Sequence, residues 1–322
     1  MALFLVTRVG MLQRFPIFND EAIYLQYSQF IHANWAKNKF ISMNYTYGDW
    51  KPPLQYWMTA PFITWGDDPL IVGRAVAVLV SFAGLFGFYL FTRELFSKVE
   101  GAITAVLYAL CPTVLFHNDQ FVAETFLFST APFVYWTLLN ALRGGRRTWA
   151  WMVAATLIGA ALLLFKQSGS LLLLGAIALP LAQRPIAPGR ARPSSVLRAF
   201  VIVALVMIGA EMIAALFQPA AYNATKARFN SNWVMSAPEL VRFPIAVWRS
   251  NLQVVADYIT SYYSWLVVAF VVAFVWLALR RKRLNELVLA LLCLSSGASV
   301  CLLLRGFNEY IVNTAIIVTL LP

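Results

Sequence analysis

The chain has 322 residues, 61% of them hydrophobic and 12% charged, against roughly 45–50% and about 25% in soluble globular domains. Mean hydropathy is +0.70 and the formal net charge is +11. These values exclude a disordered chain, a collagen, a coiled coil and an ordinary cytosolic enzyme. They predict an all-α, polytopic transmembrane helical bundle.

Apolar runs predict about ten spans in one transmembrane domain covering residues 1–322, near 1–13, 71–91, 102–116, 121–139, 149–165, 170–182, 199–217, 262–279, 285–304 and 310–322. Several fall short of the ~20 residues that a bilayer normally requires. The last stops at Pro322 with its apolar run unfinished, so the chain reads as a C-terminally truncated piece with any soluble C-terminal domain absent. Cys111, Cys293 and Cys301 lie in apolar stretches without CxxC spacing, which points to neither a disulfide framework nor a zinc site.

Basic residues orient the spans. Arg93, Lys98, Arg143, Arg146, Arg147, Arg184, Arg190, Arg192, Arg198, Arg280, Arg281, Lys282 and Arg283 supply about half of the 25 Lys and Arg. All lie in one set of short loops, which is therefore read as cytoplasmic. The positive charge is topology, and nucleic acid drops out as a partner. Nearly all carboxylates fall on the opposite face, where two long outer segments, 14–70 and 218–261, carry their own helical patterning. Long patterned loops are functional more often than merely connecting.

In the first outer segment, Ile23, Tyr27, Phe30, Ile31 and Trp35 recur at helical spacing after Phe18-Asn19-Asp20-Glu21, predicting an amphipathic interfacial helix. Two readings of its start stand side by side. Asn19 or Asp20 could cap the helix, with Glu21 favouring its dipole. Alternatively, a partly desolvated carboxylate at the bilayer surface could act as a general base. Lys51-Pro52-Pro53 follows, and the residue before a proline is extended. A lysine aimed at headgroup level suits a lipid phosphate, or it simply snorkels beside Trp50 and Trp57.

Taken together, Asp20-Glu21, the interfacial helix and Lys51-Pro52-Pro53-Leu54-Gln55-Tyr56-Trp57 resemble the polyprenyl-phosphate-dependent glycosyltransferases of the GT-C fold. That group includes the dolichyl-phosphate-mannose protein mannosyltransferases and the bacterial aminoarabinose transferases. Gly73-Arg74, Ala123-Glu124-Thr125 and Phe165-Lys166-Gln167-Ser168-Gly169 are similar to further segments of the same family, so the resemblance covers about residues 14–170.

The resemblance implies transfer of a sugar, with inversion, from a polyprenyl-phosphate-linked donor to an acceptor on the non-cytoplasmic face of a plasma membrane, with the bilayer itself as partner. By position, Asp20 and Glu21 would be catalytic, with Asp20 the base. Lys51 would hold donor phosphate, and Arg74, Asp119, Glu124, Lys166 and Arg305 would line the donor cavity. Asp20 and Glu21 could also hold a divalent metal, although no spacing demands one.

Lys166 has a plainer reading as a cation at a helix C-terminus. Arg74 either pairs with an acid of the first loop or anchors in headgroups. His32 and His117 read as interfacial polar residues. A helix is predicted from the capping box Ser236-Ala237-Pro238-Glu239 through Tyr258, perturbed at Pro244. A membrane transporter or lipid flippase is the alternative class. It calls for charges deep in the spans and interrupted helices at matching places in two halves.

Overall fold

A computed structural model describes residues 2–40, 52–182, 196–219, 234–281 and 284–303. Lys51, Arg305 and the last apolar run fall outside the described residues. The described residues are helical almost throughout, and the predicted apolar runs among them fall largely within helices, with several bounds changed.

Short α1 (Ala2–Val9) leads to the interfacial α2 (Asn19–Ala33) and α3 (Trp35–Asn38), then α4 (Leu54–Thr59) and a 3-10 turn at Ala60–Phe62. Next come α5 (Pro69–Leu95), α6 (Lys98–Leu110), α7 (Pro112–Asn118), α8 (Ala123–Leu142) and α9 (Thr148–Phe165). The chain continues through α10 (Gly169–Gly175), a 3-10 segment at Ala176–Ala182, and α11 (Val196–Leu216). It ends with α12 (Ala237–Val241), α13 (Ile245–Arg281) and α14 (Leu284–Leu303). Among the described helices, α5, α9 and α11 are long and apolar enough to cross a membrane on their own, and the chain is a multi-pass integral membrane protein.

Start and stop signals explain the breaks. Asp68 caps α5 by accepting from the Leu70 N–H at 2.8 Å, with Pro69 at the first helical position. The run at 102–116, expected as one span, is two helices. Pro112 has no N–H and pushes Cys111 into extended backbone, φ −62° and ψ 121°. The α6 C-terminus freed by this break is met by Arg8, whose Nη1 donates to the Ala109 carbonyl at 2.6 Å.

The second outer segment also differs from expectation. Its capping box forms, with the Ser236 N–H and hydroxyl donating to Glu239 at 2.8 and 2.6 Å. Phe243 then stands at φ 49° before Pro244, and α12 ends there. A bulky residue in the left-handed region is a costly turn. Beyond it, the predicted interfacial helix and the predicted span at 262–279 merge into the single 37-residue α13. At ~1.5 Å per residue it is roughly 55 Å long, well beyond a ~30 Å hydrocarbon core.

Helix α8 is the hub, packing on α5 and α9, while α5 also packs on α6 and α9 on α11. Most of its residues are buried around the whole circumference, as expected of a central helix. It approaches α5 closely: a Cβ on Gly84 would lie 2.7 Å from the Ser129 Cα. Helix α14 closes the other side against α10 and the 176–182 turn. The Asn285 Nδ2 donates to the Leu95 carbonyl at 2.7 Å at one end of α14, and the Met235 N–H donates to the Leu303 carbonyl at 2.7 Å at the other.

Candidate active site

Asp20 and Glu21 sit side by side in the first turn of α2, so their side chains diverge by about a quarter of a turn. That divergence gives them different environments. Glu21 is fully buried. Its Oε1 accepts from Arg74 Nε at 2.8 Å and from the Phe121 N–H at 2.9 Å. Its Oε2 accepts from Arg74 Nη2 at 2.7 Å and, more loosely, from the Phe18 N–H at 3.4 Å. The fork-on-fork pairing of guanidinium and carboxylate is the geometry that makes Arg a better partner than Lys.

Arg74, also fully buried, uses its remaining N–H groups on backbone. Nη1 donates to the Leu12 and Phe15 carbonyls at 2.6 and 3.0 Å, and Nη2 to Pro16 at 3.2 Å. The pair therefore staples the end of the α1 segment, the start of α2, the wall of α5 and the turn before α8. Of the two readings left open for Arg74, pairing with an acid of the first loop is the one realised. The N-cap of α2 is Phe18 rather than Asn19 or Asp20, and Glu21, three residues on, reaches back to its N–H.

Asp20 is only half-buried. Tyr24, one turn on, donates its hydroxyl toward Asp20 Oδ2 at 3.5 Å. The Tyr24 ring lies 5.5 Å from that of Tyr56 in α4. Burial pushes the Tyr24 phenol well above its usual range, helped by Tyr56 and by the negative charges of Glu124 and Asp20. The phenol thus stays a protonated donor, and both carboxylates act on it.

Glu124, buried in the first turn of α8, forms an ion pair with Lys166, whose side chain is 27% exposed. Lys166 is the C-cap of α9 in extended backbone, φ −159° and ψ 144°, so it leaves the helix toward α8. The tertiary structure thus gathers Asp20, Tyr24, Tyr56, Glu124 and Lys166.

Asp119 stands apart from that group. It caps α7, is fully buried, and neither carboxylate oxygen has a hydrogen-bond partner. Burial raises its carboxyl to about 7, against the opposing pull of Arg8 and Arg74. His32 Nδ1 contacts the Ala60 carbonyl at 2.8 Å, and His117 is buried. Glu211 is half-buried in α11. Among the described residues no group of three or more His, Cys, Asp or Glu could hold a metal. The acceptor positions of Glu21 face N–H donors, so a metal shared by Asp20 and Glu21 does not fit this geometry.

Reading the sequence missed Tyr24, Gln55, Tyr56 and Arg8. Tyr24 was within reach as the i+4 neighbour of Asp20, and Arg8 as a charge inside an apolar run. The roles of Gln55 and Tyr56 depend on contacts distant in sequence.

The fold has structural relatives. ArnT from Cupriavidus metallidurans bound to undecaprenyl phosphate superposes with a TM-score of 0.66 at 17% identity, over 99% of this chain and 58% of that one. Its apo state gives 0.63 at 16%, over 99% and 56%. The Archaeoglobus fulgidus oligosaccharyltransferase, solved with Zn and sulfate, gives 0.55 at 14%, over 99% and 48%. This chain therefore spans roughly half the length of the structures it resembles. No curated protein matches the sequence significantly.

The fold is that of the GT-C membrane glycosyltransferases. Residues 50–213 match the profile of the family described as dolichyl-phosphate-mannose-protein mannosyltransferase, just over half of the 322 residues, and the chain belongs to that family.

Proposed function

We propose that this protein transfers a sugar from a polyprenyl-phosphate-linked donor to an acceptor hydroxyl on the non-cytoplasmic face, with inversion at the anomeric carbon. The observation that carries the reading is Asp20: a half-buried carboxylate held by Tyr24, with the charge of Glu124, the partner of Lys166, acting on the same phenol. Family membership supports the donor class, and so does the fold likeness to ArnT solved with undecaprenyl phosphate.

The acceptor oxygen attacks the anomeric carbon and its proton passes to Asp20. The bond from that carbon to the phosphate oxygen breaks, and the electron pair leaves on the lipid phosphate. A phosphate monoester is already a good leaving group. The site therefore needs a base and cations rather than the carboxylic acid of a glycoside hydrolase. Lys166 and Lys51 are assigned to the phosphate. Glu124 holds Lys166 in place, while Glu21 and Arg74 brace α2 without touching the reaction.

The test is Asp20→Asn in purified protein. Loss of a general base costs ~10²–10⁴ in rate, so transfer should collapse while undecaprenyl phosphate still binds. Full transfer by that variant would remove Asp20 as the base.

A further inference from the structure

Gln55 has no part in the chemistry above, yet it is 1% exposed and sits where two halves of the site meet. It lies in α4, a helix of six residues that is far too short to hold itself together. Its neighbours tie α4 to the side of the site that carries Asp20. Tyr56 packs on Tyr24 and edge-on against Tyr27, with ring centroids 5.5 and 5.4 Å apart. Trp57 Nε1 donates to the Lys39 carbonyl at 2.7 Å.

Gln55 reaches the other way. Its Nε2 donates to the Phe121 carbonyl at 3.2 Å, while the N–H of the same Phe121 donates to Glu21 at 2.9 Å. Both polar groups of one buried backbone residue are therefore held, the N–H from α2 and the carbonyl from α4. Three residues further on stands Glu124, with its partner Lys166. The Phe121 ring is itself packed in, edge-on to Phe126 at 5.8 Å, so a shift of this backbone would carry the start of α8 with it.

We propose that Gln55 is a positioning residue. Through the Phe121 backbone it keeps the Asp20–Tyr24 face in register with the Glu124–Lys166 pair, which holds base and donor at reacting distance. This inference rests on the function proposed above. Of the two bonds on Phe121, the one from Gln55 can be removed without stranding a buried charge.

The experiment compares wild type, Gln55→Leu, Gln55→Met and Asp20→Asn. Substrates are undecaprenyl-phosphate-linked mannose and aminoarabinose, alongside binding of undecaprenyl phosphate alone and thermal unfolding. A displacement near 1 Å costs up to ~10²-fold in rate. Both Gln55 variants should therefore lose about 10- to 100-fold in kcat per folded molecule, with donor KM and undecaprenyl phosphate affinity within about threefold of wild type.

A purely structural role would lower the melting temperature and the folded fraction and leave kcat per folded molecule unchanged. That result overturns the proposal, as does wild-type kcat in both variants or failure of both to fold. Wild type and Asp20→Asn separate the two levels. An active wild type with inactive Asp20→Asn and unaffected Gln55 variants sinks this inference alone. A wild type that transfers neither sugar and does not bind undecaprenyl phosphate sinks the function as well.

Discussion

Two adjacent acids in one helical turn have opposite fates, and the direction of each side chain decides which. Glu21 faces inward onto Arg74, and both are fully buried. Removing one partner of such a pair strands the other charge, at ~3–5 kcal/mol. Arg74→Ala should therefore abolish folded protein in detergent. Arg74→Lys should recover little, since one ammonium cannot reproduce a fork that also holds three backbone carbonyls. Chromatographic yield and melting temperature check this.

Asp119 makes the stability of the fold depend on pH. Its carboxyl titrates near 7 in the fold and at 3.8 when unperturbed. Between those values the native state binds more protons than the unfolded chain. Stability therefore falls as pH rises through this window and levels off above it. Asp119→Asn should match wild type near pH 4 and exceed it at pH 8 by about 2–4 kcal/mol. Melting curves at the two pH values decide; equal gaps at both would contradict it.

At the scale of elements, the tight crossing of α5 on α8 is the contact most sensitive to size. Gly84 meets both the Cα and the side chain of Ser129 within 3.0 Å of where its Cβ would be, and backbone cannot yield as a flexible side chain does. Gly84→Val should destabilise by at least ~1–3 kcal/mol. Leu79→Ala, on the exposed side of the same helix, should shift the melting temperature little. Of the helix starts, the Ser236 capping box was legible in the sequence; Asp68-Pro69 and Ser97 open helices by the same rules, three and five residues ahead of the apolar runs expected at 71 and 102. They did not reveal that α13 runs unbroken from the interface into the following apolar run. Hydropathy marks where composition changes, and a helix continues through such a change whenever no residue stops it.

At the scale of the molecule, the charge of +11 reads as orientation. Arg143 joins Glu94 in an ion pair and donates to its carbonyl at 2.6 Å, so part of the basic set also closes the end of α5 against the end of α8. The exposed positions Arg146 and Asp67 lie on opposite sides by this reading. With Cys111, Cys293 and Cys301 replaced by alanine, Asp67→Cys should react with an impermeant maleimide on intact cells. Arg146→Cys should react only after permeabilisation, and the reverse pattern would invert the topology.

The sequence alone determined the membrane class and the helical architecture, and it singled out the short stretches bearing Asp20, Glu21, Glu124 and Lys166. Class and architecture follow from local properties, apolar length and helical spacing; the stretches follow from the family resemblance of short motifs. Tertiary structure alone decided which of these residues meet. It turned Glu21 onto Arg74, 53 positions away, and Lys166 onto Glu124, 42 positions away. It also made the buried backbone of Phe121 a joint between α2 and α4. Buried polar groups must find partners, and in a bundle those partners come from whichever helices packing brings alongside, which no local pattern records.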